Sequence, residues 1–295
     1  MITRRRFVGS ALIACTALAT RDTAYAARHT TDDLAARFAA IEKETGGRLG
    51  VAGIDTATRR HFGHRGQERF AMCSTFKVLA ASALLTHVDR GNENLDRRVR
   101  FAAGDVINNS PIAKDHVGDG MTLAELCAAA LDYSDNTAAN LILSALGGPH
   151  AVTAFARSLG DRVTRLDRTE PSLNEATPGD PRDTTTPAAM AANLQKLLLG
   201  EALAPASREQ LTRWMIGNKT GDARLRAGFP RGWRIGDKTG SGDHGTANDI
   251  AIAWPPGRKP IILVVYLTET TVPPDRQNAA IADVARAVAA TVAQG

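Results

Sequence analysis

Ser74 and Lys77 stand three residues apart in Ser74-Thr75-Phe76-Lys77, at the head of an apolar run that ends at Gly91. In a helix that spacing stacks the hydroxyl and the ammonium on one face, a nucleophile beside a proton acceptor. A serine in the first turn also has unpaired backbone N–H groups and the positive end of the helix dipole beside it, so an oxyanion forming there is stabilised. The pair alone carries little weight, because Ser-x-x-Lys arises by chance about once in a chain of this length. Two further polar motifs follow it. Ser134-Asp135-Asn136 lies between two helical patterns, where short polar residues often only cap and turn. Lys238-Thr239-Gly240 ends a strand pattern and runs into Ser241-Gly242, so that a glycine-relieved strand edge can approach a ligand closely. Lys219-Thr220-Gly221 repeats the tripeptide directly after a helix and reads as a C-terminal cap with Gly221 as the stop.

These residues meet only if distant segments converge. A helix is expected over 32–44, where Leu34, Phe38 and Ile41 recur at helical spacing before Gly46-Gly47. The runs 49–55 and 60–63, joined by Thr56-Ala57-Thr58, read as a hairpin. Over 75–87 the chain is apolar on nearly every face, which predicts a helix in the middle of a domain. Thr122 with Glu125 makes a capping box for a helix to about Leu131. A second helix spans 137–146 and ends at Gly147-Gly148, and Pro149 opens a third that stops at Gly160. The stretch 161–183 has charges and prolines without periodicity, and so long a loop in a compact domain is usually functional or disordered. Thr186-Pro187 and Ser207 with Gln210 open two more helices, to Gly200 and about Ile216. Then 233–239, 246–254 and 260–267 read as strands, and 278–293 as an amphipathic helix. Strands at both ends around a helical middle predict an α/β fold in which the ends pair into one sheet and the helical block is inserted, leaving a cleft between two lobes.

At 295 residues and 43% hydrophobic, the chain has ample material for a core. The formal charge of +5 falls to +2 beyond residue 26, because Arg4, Arg5, Arg6 and Arg21 stand against Asp22 alone. No basic run is interleaved with aromatics, so no nucleic-acid partner is expected. The N-terminus reads as an export signal: arginines, the apolar segment 7–19, and small residues at Ala24-Tyr25-Ala26. It is too short to span a membrane. Thr3-Arg4-Arg5-Arg6-Phe7 resembles the twin-arginine signals that export folded proteins. Leu12-Ile13-Ala14-Cys15 resembles a lipobox; cleavage near Ala26 is favoured over a lipid anchor at Cys15. The expected product is periplasmic or secreted and monomeric. Cys73 and Cys127 make no disulfide framework and read as buried small hydrophobes. His61 and His64 are close but have no acidic third ligand nearby in the chain, so neither a metal nor another cofactor is expected.

Ser-x-x-Lys, Ser-Asp-Asn and Lys-Thr-Gly, in this order and in these settings, resemble the motif trio of class A β-lactamases and penicillin-binding proteins, over essentially all of the chain after the signal. Glu170-Pro171-Ser172-Leu173-Asn174 resembles the Glu-x-x-Leu-Asn element of class A β-lactamases. The chemistry explains its weight: an acylated serine persists unless a base delivers water to the ester. The resemblance implies a two-lobed α/β architecture, with an antiparallel, roughly five-stranded sheet between N- and C-terminal helices and an inserted all-α lobe. The corresponding division is a signal at 1–26, an α/β lobe from 27–66 and 217–295, and an all-α lobe at 67–216 that includes the loop 161–183. It implies that Ser74 attacks the lactam carbonyl, with its own N–H and that of Ser241 as the oxyanion hole. Lys77 or Glu170 takes the proton, and Lys77 would be brought toward that task by burial and by the Lys238 cation. Ser134 would relay a proton to the lactam nitrogen, while Lys238 orients it. Glu170 with Asn174 would hold the hydrolytic water, and Asn136, Thr239 and Ser241 the substrate. Arg168 and Asp183 match the ion pair that tethers the loop in the family.

Some positions depart from the pattern. Ala247 stands where many relatives carry an arginine facing the substrate carboxylate, and Arg224 matches the alternative source of that charge. Asn109 replaces an aromatic at the entrance. Gly242, rather than a second cysteine, is the counterpart of Cys73 in class A carbapenemases, which implies weak carbapenem turnover. Cys127 faces Ala81 where some relatives have a disulfide. The implied activity is hydrolysis of penicillins and cephalosporins. Two other readings share the serine and lysines: a D-alanyl-D-alanine carboxypeptidase or transpeptidase, which lacks the Glu170 function, and a β-lactam receptor that stays acylated, which needs a signalling partner.

Overall fold

The structure, a computed structural model, describes residues 33–292; the expected export signal, with Cys15 and Ala26, lies outside them. Helix α1 (33–45) ends where Gly46 takes φ +62°, a turn that favours glycine. The hairpin of β1 (Arg48–Asp55) and β2 (Arg60–His64) follows, and then the short strand β3 (Phe70–Ala71). Helix α2 (Phe76–Asp89) is buried from Phe76 to Leu85 on every face, as its all-round apolar pattern requires. It is packed by α4 (Asn136–Leu146), α5 (Pro149–Ser158) and α7 (Pro205–Gly217), with α3 (Leu123–Asp132) and α6 (Pro187–Leu198) completing the helical block. Strand β4 (Arg98–Val99) pairs with β5 (Met121–Thr122), and β3 with β6 (Thr184–Thr185). The short helix α8 (Leu225–Gly228) precedes β7 (Arg234–Gly242), β8 (Thr246–Trp254), β9 (Ile261–Thr268) and α9 (Pro274–Val292).

The antiparallel sheet runs β2-β1-β9-β8-β7, so the first and last parts of the chain meet where Arg48 pairs with Thr268. Strand β9 is apolar throughout because both of its faces are covered. Leu263, Val265 and Leu267 pack with Leu34, Phe38, Ile281 and Val288 of α1 and α9, while Ile262, Val264 and Tyr266 join the core of the helical block. The capping box is formed: Thr122 Oγ1 accepts from Glu125 N at 3.1 Å, and Glu125 Oε2 accepts from Thr122 N at 2.7 Å.

Three boundaries differ from the sequence reading. Helix α7 starts at Pro205, and Ser207 is no cap, because its hydroxyl is drawn to Asp89 Oδ1 at 2.5 Å. Helix α9 starts four residues early, at Pro274, since proline suits a first turn. Gly221 does not stop α7, which ends at Gly217; a Cβ on Gly221 would fall 1.9 Å from Asp237 Oδ2, so the glycine is required by close packing. His64 does have an acidic neighbour, Glu42 at 2.8 Å, brought from α1 by the fold and shared with Arg65.

At the end of α3, Asp132 holds the segment after α7: its carbonyl accepts from Lys219 N at 2.8 Å, and its carboxyl lies against Gly217. Asp132 Oδ1 is buried with no partner among the described residues. Burial pushes this carboxyl up to about 6, against the pull of Lys219. A carboxyl raised in the folded state binds its proton more tightly there than in the unfolded chain, so stability falls as pH rises from the ordinary carboxylate range through about 6. Asp132→Asn therefore melts higher than the parent, by a larger margin at about pH 7.5 than at about pH 4.5, as thermal unfolding at both values will measure. Thr122→Ala removes one side of the capping box and lowers stability by about 1 kcal/mol in urea titrations, with an unchanged m-value.

Candidate active site

Ser74 lies in a single 3-10 turn, Cys73–Thr75, that leads straight into α2. The turn is strained, with Cys73 at φ +45°, a region that side-chain-bearing residues occupy only when their surroundings impose it. Ser134, between α3 and α4, is also left-handed, at φ +58°. Asp135 fixes this second turn: its Oδ1 accepts from Ala138 N at 2.8 Å and caps α4, while its Oδ2 accepts from Ile112 N and Ala113 N at 3.0 and 2.9 Å. Capping is thus the role of the middle residue of Ser134-Asp135-Asn136, and its two neighbours are turned toward Lys77.

The Lys77 ammonium is buried and donates to Ser134 O and Asn136 Oδ1, both at 2.8 Å, and to Glu170 Oε1 at 3.0 Å; Ser134 Oγ is 3.4 Å away. Burial lowers its pKa, opposed chiefly by Glu170. The cation–cation effect expected on Lys77 is prominent at its neighbour instead: burial first, and then the Lys77 charge, bring Lys238 down to about 7. Lys238 Nζ donates to Ser134 Oγ at 3.0 Å and to Thr239 O at 2.8 Å. Ser134 Oγ therefore lies between two amines.

Glu170 comes from the loop 161–183. Its peptide bond to Pro171 is cis, and its backbone is clamped by Asn140 of α4, through N to Oδ1 and Nδ2 to O, each 2.9 Å. Arg168 Nε reaches Asp183 Oδ2 at 2.6 Å, so the tether implied by the resemblance is formed; Asp183 Oδ1 also accepts from the backbone N of Asp167 and Arg168. Ser74 Oγ donates to Glu170 Oε1 at 3.0 Å, and Asn174 Nδ2 donates to Glu170 Oε2 at 2.5 Å. Asn174 Oδ1 is buried with no partner among the described residues.

Strand β7 forms the opposite wall. A Cβ on Gly240 would lie 2.9 Å from Met72 O and 3.2 Å from Ser74 N, so only glycine lets the strand pass the serine this closely. Beyond it, Arg224 Nη2 donates to Ser241 Oγ at 2.7 Å, Nη1 to the carbonyls of Gly240 (2.8 Å) and Asn248 (2.6 Å), and Nε to Asn278 Oδ1 at 2.9 Å. Each of these acceptors is neutral. Ala247 pairs with Ser241 and is buried. Beneath this wall, Asp249 is buried, and desolvation together with Asp237 holds its carboxyl well above the usual range.

All ten candidate residues converge here, with some changes of detail. Asn136 Nδ2 is engaged by Asn108 O at 3.1 Å, and Asn109 steadies the turn by donating to Ser134 O at 3.2 Å. Sequence reasoning set aside Thr220, whose Oγ1 lies 2.5 Å from Thr239 Oγ1. Asn218, two residues earlier, was the available signal: its Oδ1 accepts from Thr220 N at 3.0 Å in an Asx turn. Cys73 and Cys127 are buried free thiols, both pushed up by burial, and Cys73 Sγ is packed against Gly242.

Comparison with known proteins agrees with this geometry. The β-lactamase enzyme family model matches residues 33–292. β-Lactamase CTX-M-8 of Citrobacter amalonaticus is 54% identical over 264 residues, covering 90% of this chain and 89% of that protein. The structure of the last common ancestor of Gram-negative bacteria (GNCA4) β-lactamase class A is 65% identical with a TM-score of 0.87, over 88% of this chain and 99% of that one. The putative class A β-lactamase PenP from Rhodopseudomonas palustris is 60% identical with a TM-score of 0.87, over the same shares. A serine that follows the strained Cys73, two buried lysines and the loop glutamate thus sit in a chain that belongs to the β-lactamase enzyme family, class A.

Proposed function

We propose that the protein hydrolyses the β-lactam amide of penicillins and cephalosporins through an acyl-Ser74 intermediate, and so confers resistance to these antibiotics. The observation that carries this reading is the Glu170 carboxylate within hydrogen-bond reach of Ser74 Oγ. The three Lys77 protons already have Ser134 O, Asn136 Oδ1 and Glu170 Oε1 as acceptors, whereas the Ser74 proton points to Glu170. This favours Glu170 as the acylation base, with Lys77 as the adjacent cation. The attacked carbonyl becomes an oxyanion between the N–H groups of Ser74 and Ser241. As the C–N bond breaks, Ser134 gives its proton to the departing lactam nitrogen and is reprotonated by Lys77, which recovers the Ser74 proton from Glu170 and leaves Glu170 a carboxylate again. Glu170 and Asn174 then orient water onto the ester; Glu170 takes one of its protons and returns it to the Ser74 oxygen as the ester C–O bond breaks, which restores the starting state.

Lys238, Arg224, Thr239 and Ser241 receive the substrate carboxylate, and Thr220 orients Thr239. Asn136 binds the substrate's amide side chain. A carboxypeptidase or an acylated receptor is disfavoured by the buried loop carboxylate beside the nucleophile. We take the working protein as a monomer, exported to the periplasm or secreted, with cleavage near Ala26 favoured over a lipid anchor at Cys15. Among the described residues no helix is long and apolar enough to cross a membrane. Its parts are an α/β lobe, 27–66 with 217–295, and an all-α lobe, 67–216.

Glu170→Ala should form a benzylpenicillin adduct on Ser74 more slowly, with Lys77 as the remaining base, and then hold it as a stable mass increment because deacylation has no other base, while steady-state turnover falls by at least about 10²-fold. Unchanged turnover would remove Glu170 from the reaction. Because Lys238 loses its charge as pH rises through about 7, kcat/KM for a carboxylate-bearing penicillin declines on the alkaline side. Lys238→Arg, which stays charged, moves that decline to higher pH in the same profile.

A further inference from the structure

One row of residues crosses the sheet beneath the turn that carries Ser74. Gly240 of β7 pairs with Asn248 of β8, Asn248 with Tyr266 of β9, and Tyr266 with Gly50 of β1. Directly paired residues share a face of a sheet. Three members of the row meet residues 71–75. Gly240 leaves room for Met72 O and Ser74 N. Asn248 Nδ2 donates to Ala71 O at 2.9 Å and to Met72 O at 3.1 Å. Tyr266 Oη lies 3.1 Å from Thr75 Oγ1, which itself donates to Met72 O at 2.8 Å. Met72 O also accepts from Thr75 N at 3.2 Å, so donors converge on the carbonyl just before the strained Cys73.

Asn248 stands out in this row. It is fully buried, yet its Oδ1 has no partner among the described residues, an arrangement unfavourable to folding. Its orientation is nevertheless determined, because only the NH₂ end can satisfy two carbonyls. The backbone carbonyl of the same residue accepts from Arg224 Nη1 at 2.6 Å. One residue therefore ties the guanidinium at the substrate-carboxylate end to the turn at the nucleophile end.

We infer that Asn248 is a positioning residue for acylation: its amide sets the Met72–Cys73 backbone from which Ser74 is aimed, and its carbonyl holds Arg224 in register with that turn. The inference rests on the reading of Ser74 as the nucleophile. Asn248→Ala deletes the amide but keeps the backbone carbonyl, so acylation slows while penicillin binding before acylation is retained. Asn248→Asp has the same shape but turns carboxylate oxygens toward two carbonyls, and acylation slows further. Lowering the pH protonates that carboxyl, which then donates again and restores part of the rate.

Rapid-quench mass spectrometry across benzylpenicillin concentrations separates the Ser74 acylation rate from the preceding binding constant. The expected result for Asn248→Ala is acylation slowed on the order of 10–10²-fold, with binding within about twofold of the parent. Asn248→Asp should be slower still at neutral pH and recover in acid. A milder effect of Asn248→Asp than of Asn248→Ala, as pure packing demands, overturns the inference. So does a parallel change in binding and acylation. If Asn248→Asp does not fold, Asn248→Ser keeps one donor and must acylate faster than Asn248→Ala; the reverse order overturns the inference. Absence of a Ser74 adduct in the parent protein would instead identify the nucleophile assignment as the error.

Discussion

Lys77 ends in a buried amine, and a buried ammonium is tolerated only where every proton finds an acceptor. Its acceptors come from the turn between α3 and α4 and from the loop 161–183, neither of which is adjacent to α2 in the chain. The demand works in both directions. The left-handed Ser134 turn and the clamped Glu170 backbone are held where they are partly because the cation is there, and the cation is tolerated because they are. Removing any one acceptor leaves an uncompensated charge rather than a simple gap, so these three segments form one cooperative unit.

The electrostatic balance around that unit is uneven. Lys77, Lys238 and Arg224 face the cleft, and Glu170 is the carboxylate that touches both Ser74 and Lys77. Arg224 is held by four neutral oxygens, which orient it without discharging it. The Lys77 charge, after burial, is what brings Lys238 down. The carboxyls of Asp237 and Asp249 lie behind the wall, where burial favours their neutral forms, so the positive potential on the cleft side is preserved.

Local chemistry made much of this legible from the residues alone. The helices with caps, Thr122 with Glu125 and Gly147, and the helix apolar all round were readable because their signals act within one or two turns. The motif residues were readable because their types are uncommon in combination. What escaped was set by tertiary contact. Thr220 lies in a tripeptide whose local reading is a helix cap, and only its approach to Thr239 brings it into the site. Ser207 has a fair local claim to cap α7, but Asp89, 118 residues away in sequence, takes its hydroxyl. Asn248 offers no signal of its own, since an asparagine inside a strand becomes meaningful only when the register places it under Met72.

The pairing of β1 with β9 joins residues some 220 positions apart, with the entire helical block between them. Closing so large a loop gives little return until both partners are in hand, so sheet formation is a late event in folding. Among the described residues, the strand that flanks the serine, β7, has β8 as its only sheet neighbour, and β8 in turn is anchored by β9. Competence to react with a β-lactam therefore arrives once β8 and β9 have joined the sheet rather than growing by degrees. A nascent chain that already contains the serine, the lysine beside it and the loop glutamate still lacks the surface on which the nucleophile is set.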